Sequence, residues 1–242
     1  MKKLIYQYYI GNGFLPDWVK ESSKRFKKYA EKHNADYIFD TKVTFSSECF
    51  YFEHLKILYD DKFQEYDLIL YADVDIIIEN FEENIFDTKI KDVGMIPEYQ
   101  AKGMIGPPTY MLKGYAVKYK TIANKFNLPY IKPVTVESPY LMFNTGVILW
   151  SKDGLSKAKS NFMDWKKWYN SIDEQIFKID QAYITGQVTK HLDYTEMALK
   201  WNCFPMFRFE KGMEPKDAIF VHYTGGKKKY IEEIYGKFKD EN

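Results

Sequence analysis

An unbroken apolar run that ends in two carboxylates constrains the fold of this 242-residue chain more than any other feature. Leu68 to Ala72 is apolar at nearly every position, which is typical of a central strand covered on both faces. Asp73-Val74-Asp75 follows directly. Because side chains of an extended chain alternate with period two, both aspartates can reach one hard cation such as Mg²⁺ or Mn²⁺. The run therefore predicts a cation site where open α/β sheets bind ligands, although a solvated turn is the alternative.

Strand and helix patterns alternate along the chain and predict an α/β domain. Residues 3–10 are aromatic and β-branched, as in a buried strand, and residues 16–33 keep helical spacing before a second strand at 35–39. This order predicts a parallel pair with a crossover helix. Further predicted elements are helices at 50–61, 160–169, 172–186 and in the Lys-rich tail, and strands at 93–97, 142–150 and 219–222. Without repeats or linkers, we expect one domain over 1–242.

Composition and charge exclude several classes of protein. Hydrophobic residues make up 45% of the chain, too many for a disordered protein. The net charge is +1 and the only arginines are Arg25 and Arg208, so neither the overall field nor an arginine-rich surface favours nucleic acid. Cys49 and Cys203 are too few for a disulfide framework and indicate a reducing compartment. Without a signal peptide or about 18 consecutive apolar residues, the sequence predicts a cytoplasmic protein with no transmembrane segment.

A second polar cluster follows the last predicted strand. The sequence His-Tyr-Thr-Gly-Gly-Lys-Lys occupies 222–228. A neutral imidazole at a strand end can complete the ligand shell of a cation, the glycines let backbone N–H groups approach a phosphate, and a lysine supplies charge. Taken alone, a turn with solvated lysines is the alternative. Together with the two aspartates, the pattern favours a site for a cation and a phosphate.

Two further polar groups lie within apolar segments. Asn144-Thr145-Gly146 interrupts the strand predicted at 142–150, which indicates a bulge or the close approach of a ligand. Asp180-Gln181 lies beside an apolar helix face, where Asp180 could hold sugar hydroxyls or belong to an ordinary helix surface. The glycine- and proline-rich stretch at 99–113 is a candidate mobile loop over a site.

Four of these motifs occur in the order and form known from one enzyme family. They are LKILYDDKFQEYDLILYADVDIII, FNTGVILW, the Asp180-Gln181 pair and HYTGGKK, in which His222, Gly225 and Lys228 fit the pattern His-x-x-Gly-x-x-Lys. From about residue 52 to 228, the chain thus resembles glycosyltransferase family 8, retaining enzymes that include glycogenin and bacterial lipopolysaccharide galactosyltransferases. The resemblance implies a GT-A fold, with a Rossmann-like, mixed and mostly parallel sheet flanked by helices. It also implies a metal-dependent hexosyltransferase with a nucleotide-sugar donor, for which a UDP-sugar is the first expectation.

The resemblance assigns residues to the cation and the diphosphate. Asp73, Asp75 and His222 would be the ligands of Mn²⁺ or Mg²⁺. Gly225 and Lys228 would hold the diphosphate of the donor. These assignments place the metal-binding and phosphate-binding groups at two strand ends that are far apart along the chain.

The resemblance also assigns residues to the donor sugar. Lys56 would lie near the sugar or the phosphates, and Asn144 and Asp180 would bind the sugar. Gln181 would lie close to the reacting carbon, so that Asp180 and Gln181 are the catalytic candidates.

The chain departs from the family at three places. The first strand of the family ends with acidic or polar residues that contact uracil and ribose, whereas Tyr8 and Asn12 occupy this stretch here and are the donor-binding candidates. The terminal Lys-Pro-Trp of the family is Lys-Lys-Tyr at 228–230. Residues 99–139 have no evident counterpart and are the predicted acceptor or lid region. The acceptor therefore stays open among a glycan, a glycoprotein and a glycolipid.

The stereochemistry decides whether a catalytic base is needed. With retention, as in the family, the departing phosphate oxygen can take the proton of the acceptor. With inversion, a carboxylate base is required opposite the leaving group, and Asp180, followed by Asp173 or Glu174, would be the candidates.

Other classes of function stay open. A GT-A-like carbohydrate-binding protein that has lost catalysis would suit the aromatic content of 18%. A sugar-nucleotide nucleotidyltransferase would need a longer phosphate loop with basic residues than Gly11-Asn12-Gly13 provides. A metal-dependent phosphohydrolase could also use Asp-x-Asp, but its nucleophile and acid are not identifiable.

Overall fold

The structure, a computed structural model, describes residues 1–11, 13–46, 49–97, 122–127, 142–173, 178, 180–205 and 218–235. Its strands are β1 (Lys3–Tyr8), β2 (Asp36–Asp40), β3 (Leu68–Ala72), β4 (Ile76–Ile78), β5 (Val93–Pro97), β6 (Phe143–Ser151), β7 (Tyr194–Glu196) and β8 (Phe220–His222). Its α-helices are α1 (Asp17–Lys32), α2 (Lys56–Tyr59), α3 (Lys152–Asn161), α4 (Trp165–Ser171), α5 (Asp180–His191) and α6 (Lys229–Tyr235), with a helical turn at 122–126. The 3₁₀ segments are Phe50–Leu55, Asp61–Phe63, Ile85–Asp87, Leu199–Trp201 and Gly225–Lys228.

Six strands form one mixed sheet in the order β2-β1-β3-β6-β5-β7. β1 runs parallel to both β2 and β3, β5 runs parallel to β7, and β6 is antiparallel to both of its neighbours. α1 forms the predicted crossover between the parallel strands β1 and β2. β3 lies inside the sheet and is buried over its whole length, as predicted. The predicted fold class, a mixed and mostly parallel sheet with flanking helices, is confirmed.

A second sheet, made of β4 and β8, brings the two aspartates and the histidine of the last strand together. The chain leaves β3 at Ala72, passes through Asp73-Val74-Asp75 and enters β4. β4 pairs with β8 in the antiparallel direction, and Ile76 stands opposite His222. The last strand therefore places its histidine beside the two carboxylates.

Apolar side chains cover both faces of the main sheet, which explains the unbroken run in β3. Ile69 and Tyr71 belong to a core cluster that also contains Trp168 of α4. Leu70 belongs to the opposite cluster, which contains Phe26 of α1. Because successive residues of a strand face opposite sides, a strand between two cores must be apolar at every position.

The single helix predicted at 50–61 is wrong, because a 3₁₀ segment (Phe50–Leu55) and the short α2 occupy this stretch. Glu53 is buried and accepts hydrogen bonds from the backbone N–H groups of 44–46. Asp60 ends α2 and caps the next 3₁₀ segment by accepting a hydrogen bond from the N–H of Lys62. These side-chain contacts outweigh the helical spacing of the sequence.

The single helix predicted at 160–169 is also wrong, because two helices meet there. α3 ends at Asn161, and Asp164 starts α4 by accepting a hydrogen bond from the N–H of Lys167 at 2.9 Å. Polar groups that satisfy helix ends explain this break. Three aromatic residues of this stretch are buried, namely Phe162, Trp165 and Trp168. Most of α3 and the whole of β7 were not predicted from the sequence.

Two other predicted helices agree with the structure only in part, and the predicted loop and acceptor regions are mostly not described by it. The segment predicted as largely helical at 172–186 is not helical at Ile172 and Asp173, and α5 begins at Asp180. The predicted tail helix is α6 as far as Tyr235, and the remainder lies outside the described residues. The loop at 99–113 and the acceptor region at 99–139 lie outside them too, apart from 122–127. Within the described residues, no helix combines the length and the apolar character that crossing a membrane requires.

Candidate active site

Backbone hydrogen bonds from both sides fix the path of the Asp73-Val74-Asp75 loop. The N–H of Asp73 donates to the carbonyl of Gly146 at 2.8 Å, and the N–H of Tyr223 donates to the carbonyl of Asp75 at 2.8 Å. The buried amide of Gln7 donates to the carbonyl of Asp73 at 3.1 Å. The two carboxylates therefore leave a backbone that has little freedom to move.

The three predicted metal ligands come together at this loop. Asp73, Asp75 and His222 offer ligand atoms that lie within 4.8 Å of one another. His222 Nε2 is 3.1 Å from Asp75 Oδ1 and 3.7 Å from Asp73 Oδ2. Asp75 and His222 are buried, whereas Asp73 is partly exposed. The open side of this cluster is therefore at Asp73.

A chain of buried hydrogen bonds determines which nitrogen of His222 carries hydrogen. The N–H of Gly146 donates to Asn144 Oδ1 at 2.9 Å, and the same oxygen accepts from Asn202 Nδ2 at 2.7 Å. Asn202 Oδ1 therefore faces His222 Nδ1, at 2.9 Å, and this nitrogen must be the donor. The lone pair is then on Nε2, which is the nitrogen that faces the two carboxylates.

These residues fit a hard divalent cation. Two carboxylates are ligands that such cations prefer, and a neutral imidazole nitrogen is a common ligand of divalent metals in general. Asp75 Oδ1 is buried and, among the described residues, accepts no hydrogen bond of normal geometry although His222 Nε2 is 3.1 Å away. The lone pairs of these two atoms repel each other unless a positive charge lies between them. A shared cation gives this close contact a physical reason.

The ring of His222 requires glycine at position 146. A Cβ atom on Gly146 would lie 2.3 Å from His222 Cε1 and 2.7 Å from Nδ1. The ring of Phe204 stacks on the imidazole with a centroid distance of 5.1 Å and an interplanar angle of 26°. The pairing of β5 with β6 is also irregular beside Asn144, between Met95 and Ile96. The polar break in this strand thus accommodates a histidine from another strand.

Lys228 contacts Asp75 from the end of the 3₁₀ segment that begins at Gly225. Lys228 Nζ is 3.1 Å from Asp75 Oδ2 and 5.0 Å from the ring centroid of Trp18. Gly225 has a φ of 61°, in the left-handed region that glycine adopts without strain. The turn therefore directs a cationic side chain toward the carboxylates.

The two aspartates have opposed pKa shifts. Desolvation by the surrounding protein and the nearby charge of Asp75 raise the pKa of Asp73 to about 6, although its side chain is partly exposed. Burial alone would also raise the pKa of Asp75, but the charge and hydrogen bond of His222 in its protonated form, and those of Lys228, lower it. A cation held by Nε2 of neutral His222 would take the place of that proton. The cluster therefore concentrates negative charge that a cation at Asp73 would relieve.

An open cavity of about 410 Å³ lies against the cluster. Aromatic rings line much of its wall, namely those of Tyr8, Tyr9, Phe50, Tyr51 and Tyr71. The hydroxyl of Tyr8 donates to the carbonyl of Phe50 at 2.8 Å, and its ring stacks on Tyr71 with centroids 5.9 Å apart. Tyr8, a predicted donor-binding residue, therefore lies in the same cavity as Asp73 and Asp75.

Asp180 approaches this site from the first residue of α5. Its Oδ2 atom lies 3.1 Å from Nε2 of His54. The ring of His54 stacks on Tyr71 with centroids 4.6 Å apart, and the hydroxyl of Tyr71 donates to the Asp73 carboxylate. Gln181 follows in the same helical turn and is half-buried. Two side chains that sequence reasoning missed thus connect Asp180 to the cation cluster.

The ammonium of Lys56 is paired with carboxylates inside the fold. Its buried ammonium contacts the carboxylate of Asp40 and lies 3.0 Å from Thr44 Oγ1 and 3.7 Å from Glu53 Oε1. Carboxylates of the fold thus balance its charge, and its role near the donor sugar or phosphates stays a prediction. Asn12, the other donor-binding candidate near β1, lies outside the described residues.

Gln7, His54 and Asn202 are site residues that sequence reasoning missed. Gln7 lies in KLIYQY and His54 follows Glu53 in FYFEHL, two segments that are otherwise mostly apolar or aromatic. Asn202 follows the short 3₁₀ segment Leu199–Trp201 and is fully buried. A buried polar residue must find a partner, but the sequence does not say which one.

The family comparison gives one match over most of the chain. The model of a family described as glycosyl transferase family 8 matches residues 3–230. No curated protein matches the sequence.

Several solved structures share the fold at low sequence identity. A glycosyltransferase involved in the glycosylation of the major capsid of PBCV-1 has a TM-score of 0.60 at 14% identity, over 96% of this chain and 98% of that chain. Mouse xyloside xylosyltransferase 1 has a TM-score of 0.52 at 13% identity, over 92% and 97% of the two chains. The bifunctional glycosyltransferase WbbM has a TM-score of 0.60 at 12% identity, over 93% of this chain and 46% of that chain. These likenesses confirm the GT-A fold.

Proposed function

Because this chain belongs to glycosyltransferase family 8 and is a glycosyltransferase, we propose that it moves a hexose from a nucleotide diphosphate sugar to an acceptor hydroxyl. The donor is proposed to be a UDP-sugar, the cofactor Mn²⁺ or Mg²⁺, and the stereochemical course retention. The observation that carries the proposal is the cluster of Asp73, Asp75 and His222 against a cavity that Lys228 also lines.

The charges of the cluster support a role toward the diphosphate of the donor. Asp73 and Asp75 would hold the cation through carboxylate oxygens, and His222 would hold it through Nε2. When bound, Mn²⁺ or Mg²⁺ supplies positive charge that stabilises the leaving diphosphate. The side chain of Lys228 is 38% exposed, so its ammonium can turn from Asp75 toward a diphosphate in the cavity. Gly225 would allow the backbone of this turn to approach the phosphates.

The sugar end of the proposed site rests on other residues. Asp180 and Asn144 would bind the hydroxyls of the donor sugar, with Gln181 near the reacting carbon. The carboxylate of Asp180 can accept hydrogen bonds from two hydroxyls. Tyr8 would offer its ring to the donor from the wall of the cavity.

Retention requires no separate base, because the departing phosphate oxygen can take the proton of the acceptor hydroxyl. Proton NMR of the first product formed tests this point. Retention predicts the anomer of the donor, and the opposite anomer would support inversion with Asp180, Asp173 or Glu174 as the base.

We propose a glycan, a glycoprotein or a glycolipid as the acceptor. The region predicted to bind it, 99–139, lies outside the described residues apart from 122–127. A cytoplasmic location is likewise a proposal, which the low cysteine content supports.

A thermal-shift screen of nucleotide sugars with Mn²⁺ tests the proposed function. A donor at 100 times its Kd stabilises the folded chain by about 2.7 kcal/mol, which raises the melting temperature by several degrees. We expect this shift to vanish with excess EDTA and in Asp75→Ala. Asp61→Ala, which removes a carboxylate that is 97% exposed, should retain it. Binding of free sugars without nucleotide or cation would instead indicate a carbohydrate-binding protein, and nucleotide-sugar synthesis would indicate a nucleotidyltransferase.

A further inference from the structure

One buried histidine contacts the carboxylate that is predicted to bind the donor sugar. His54 is fully buried, and its Nε2 atom lies 3.1 Å from Asp180 Oδ2. Only 13% of the side chain of Asp180 is exposed, so the contact is largely shielded from water. Nothing in the proposed reaction uses His54, which leaves its burial and its position to be explained.

The polar contacts of His54 all point to Asp180. Nδ1 is buried and has no hydrogen-bond partner among the described residues. A hydrogen on Nδ1 would be a buried donor without an acceptor, so the favourable tautomer carries its hydrogen on Nε2. Nε2–H then donates to Asp180 Oδ2. Asp180 is thus the one group that holds the imidazole by a hydrogen bond within the described residues.

The ring of His54 connects this contact to the cation cluster. It stacks on Tyr71 with a centroid distance of 4.6 Å and an interplanar angle of 20°. The hydroxyl of Tyr71 donates to the Asp73 carboxylate, and Tyr71 is a residue of the central strand β3. The stack therefore sets the position of Asp180 relative to Asp73 through rigid, buried groups.

Asp180 needs such a contact because of its place in the chain. It is the first residue of α5, so the helix supports its backbone on one side only. The segment that carries His54 makes a second contact here, since Cys49 Sγ lies 3.5 Å from the carbonyl of Lys178. Both contacts join the start of α5 to the segment that leads into β3.

We propose that His54 is a positioning residue that holds Asp180 for recognition of the donor sugar. This inference rests on the proposed function, because it requires that Asp180 binds the sugar. It makes a specific claim about the energy of binding. Losing the Nε2–H donor should weaken binding of the hexose and leave binding of the nucleotide and its diphosphate unchanged.

Two variants separate the hydrogen bond from the packing. His54→Phe keeps an aromatic ring that can stack on Tyr71 but removes the donor, and His54→Gln restores an N–H near the position of Nε2. Loss of a positioning contact of this kind typically costs about 10- to 100-fold. We expect His54→Phe to lower kcat/KM for the donor by about this factor, and His54→Gln to recover part of the loss.

Calorimetry with Mn²⁺ and either UDP-glucose, UDP-galactose or UDP alone gives a readout besides activity. In His54→Phe, the affinity for the accepted UDP-hexose should fall toward that for UDP, while the affinity for UDP stays at the wild-type value. His33→Phe is the matched control, because His33 also packs on a tyrosine, Tyr29, and its Nε2 lies 3.0 Å from the carbonyl of Phe81. It should change neither affinity.

A second pair of measurements keeps the inference apart from the proposed function. Asp180→Asn should lose donor affinity, and His54→Phe in that background should cause no further loss. Equal weakening of UDP and UDP-hexose in both His54 variants would overturn the positioning role, as would wild-type behaviour of His54→Phe. If Asp180→Asn itself binds and transfers the hexose normally, the proposed role of Asp180 fails. A crystal structure of His54→Phe gives a ligand-free check, in which an unmoved Asp180 carboxylate would contradict the inference.

Discussion

The cation end and the sugar end of the proposed site are held in different ways. At the cation end, three backbone or amide hydrogen bonds fix the loop of Asp73 and Asp75, and Asn202 and Phe204 fix His222. At the sugar end, within the described part of the chain, a side-chain hydrogen bond joins Asp180 to His54.

The difference teaches that strands and helix termini place functional groups by different means. Paired strands hold a loop between them through backbone hydrogen bonds that depend little on side-chain identity. The first residue of a helix relies on side chains to direct it. We therefore expect changes at the cation end to act by removing a ligand or a direct contact of a ligand, and the sugar end to depend on His54 and its supporting residues.

Removing a ligand from the cation end should have the largest effect. Asp75→Ala should lower sugar transfer by about 10³-fold or more, because the charge on the leaving diphosphate loses its stabilisation. The fold should survive, since the change removes a buried carboxylate that lies close to Asp73. Initial rates and melting temperatures measure both effects. Undiminished turnover would show that transfer does not need Asp75 and would contradict the proposed cation site.

A smaller loss of transfer activity should follow when the residues that pack against His222 are altered and all three ligands are kept. In Gly146→Ala, the new Cβ would come 2.3 Å from His222 Cε1, so the ring must shift. We expect transfer to fall by about 100-fold, the cost of a displacement near 1 Å in an active site. Val147→Ala, on the same strand but in the apolar core, is a matched control for packing. If raising the Mn²⁺ concentration gave no recovery in Gly146→Ala while Val147→Ala lost as much activity, strain in β6 would explain the result instead.

Loss of the outer partner of His222 should cost less again. Asn202→Ala removes the acceptor for Nδ1–H and should weaken Mn²⁺ binding by about 10- to 100-fold. Calorimetry of Mn²⁺ with UDP present measures this. Asn161→Ala, which removes an exposed amide from the end of α3, should leave the affinity unchanged. Equal affinities in wild type and Asn202→Ala would mean that Phe204 and Gly146 hold the ring without help.

The smallest effect on transfer should come from the support of the sugar end. Glu53 belongs to the 3₁₀ segment that carries His54 and accepts hydrogen bonds from 44–46. Glu53→Gln should lower the free energy of unfolding at pH 7 by about 1 to 3 kcal/mol. Its effect on transfer should be smaller than that of His54→Phe, because the contact of His54 with Asp180 is left intact.

The same carboxylate gives a pH dependence of stability. Burial alone would raise the pKa of Glu53, but hydrogen bonds from Thr44, Phe45 and Ser46 lower it. A lowered folded-state pKa stabilises the chain above the unfolded value of about 4.3 and loses this effect as pH falls through the folded-state pKa. Urea unfolding should therefore show a gap between wild type and Glu53→Gln that narrows below about pH 4. A gap that is constant from pH 7 to pH 3 would mean that packing, and not charge, underlies the difference.

The sequence predicted the cation end better than the sugar end, and the reason is physical. β3 and its two aspartates follow from local rules, because a strand between two cores is apolar throughout and alternation directs both carboxylates. The pairing of β4 with β8 then brought His222 to the cluster, where the resemblance to the family had assigned it.

Contacts between distant segments could not be predicted in this way. His54 meets Asp180, and Asn202 meets His222, through side chains whose local patterns carry no information about their partners. The 3₁₀ segment around His54 departs from its helical spacing for the same reason, since Glu53 bonds to 44–46 instead. Tertiary contacts decide such segments, and a single sequence does not display them.

Electron paramagnetic resonance of Mn²⁺ tests the central claim most directly, because free Mn²⁺ gives a strong signal that weakens when the ion is bound. Titration of the chain with Mn²⁺ in the presence of UDP should reveal one tight site per chain in wild type and in Asp61→Ala. The site should be lost in Asp75→Ala and in His222→Ala. A tight site that persists in both of these variants, or no site in wild type, would contradict the assignment of Asp73, Asp75 and His222 as the ligands.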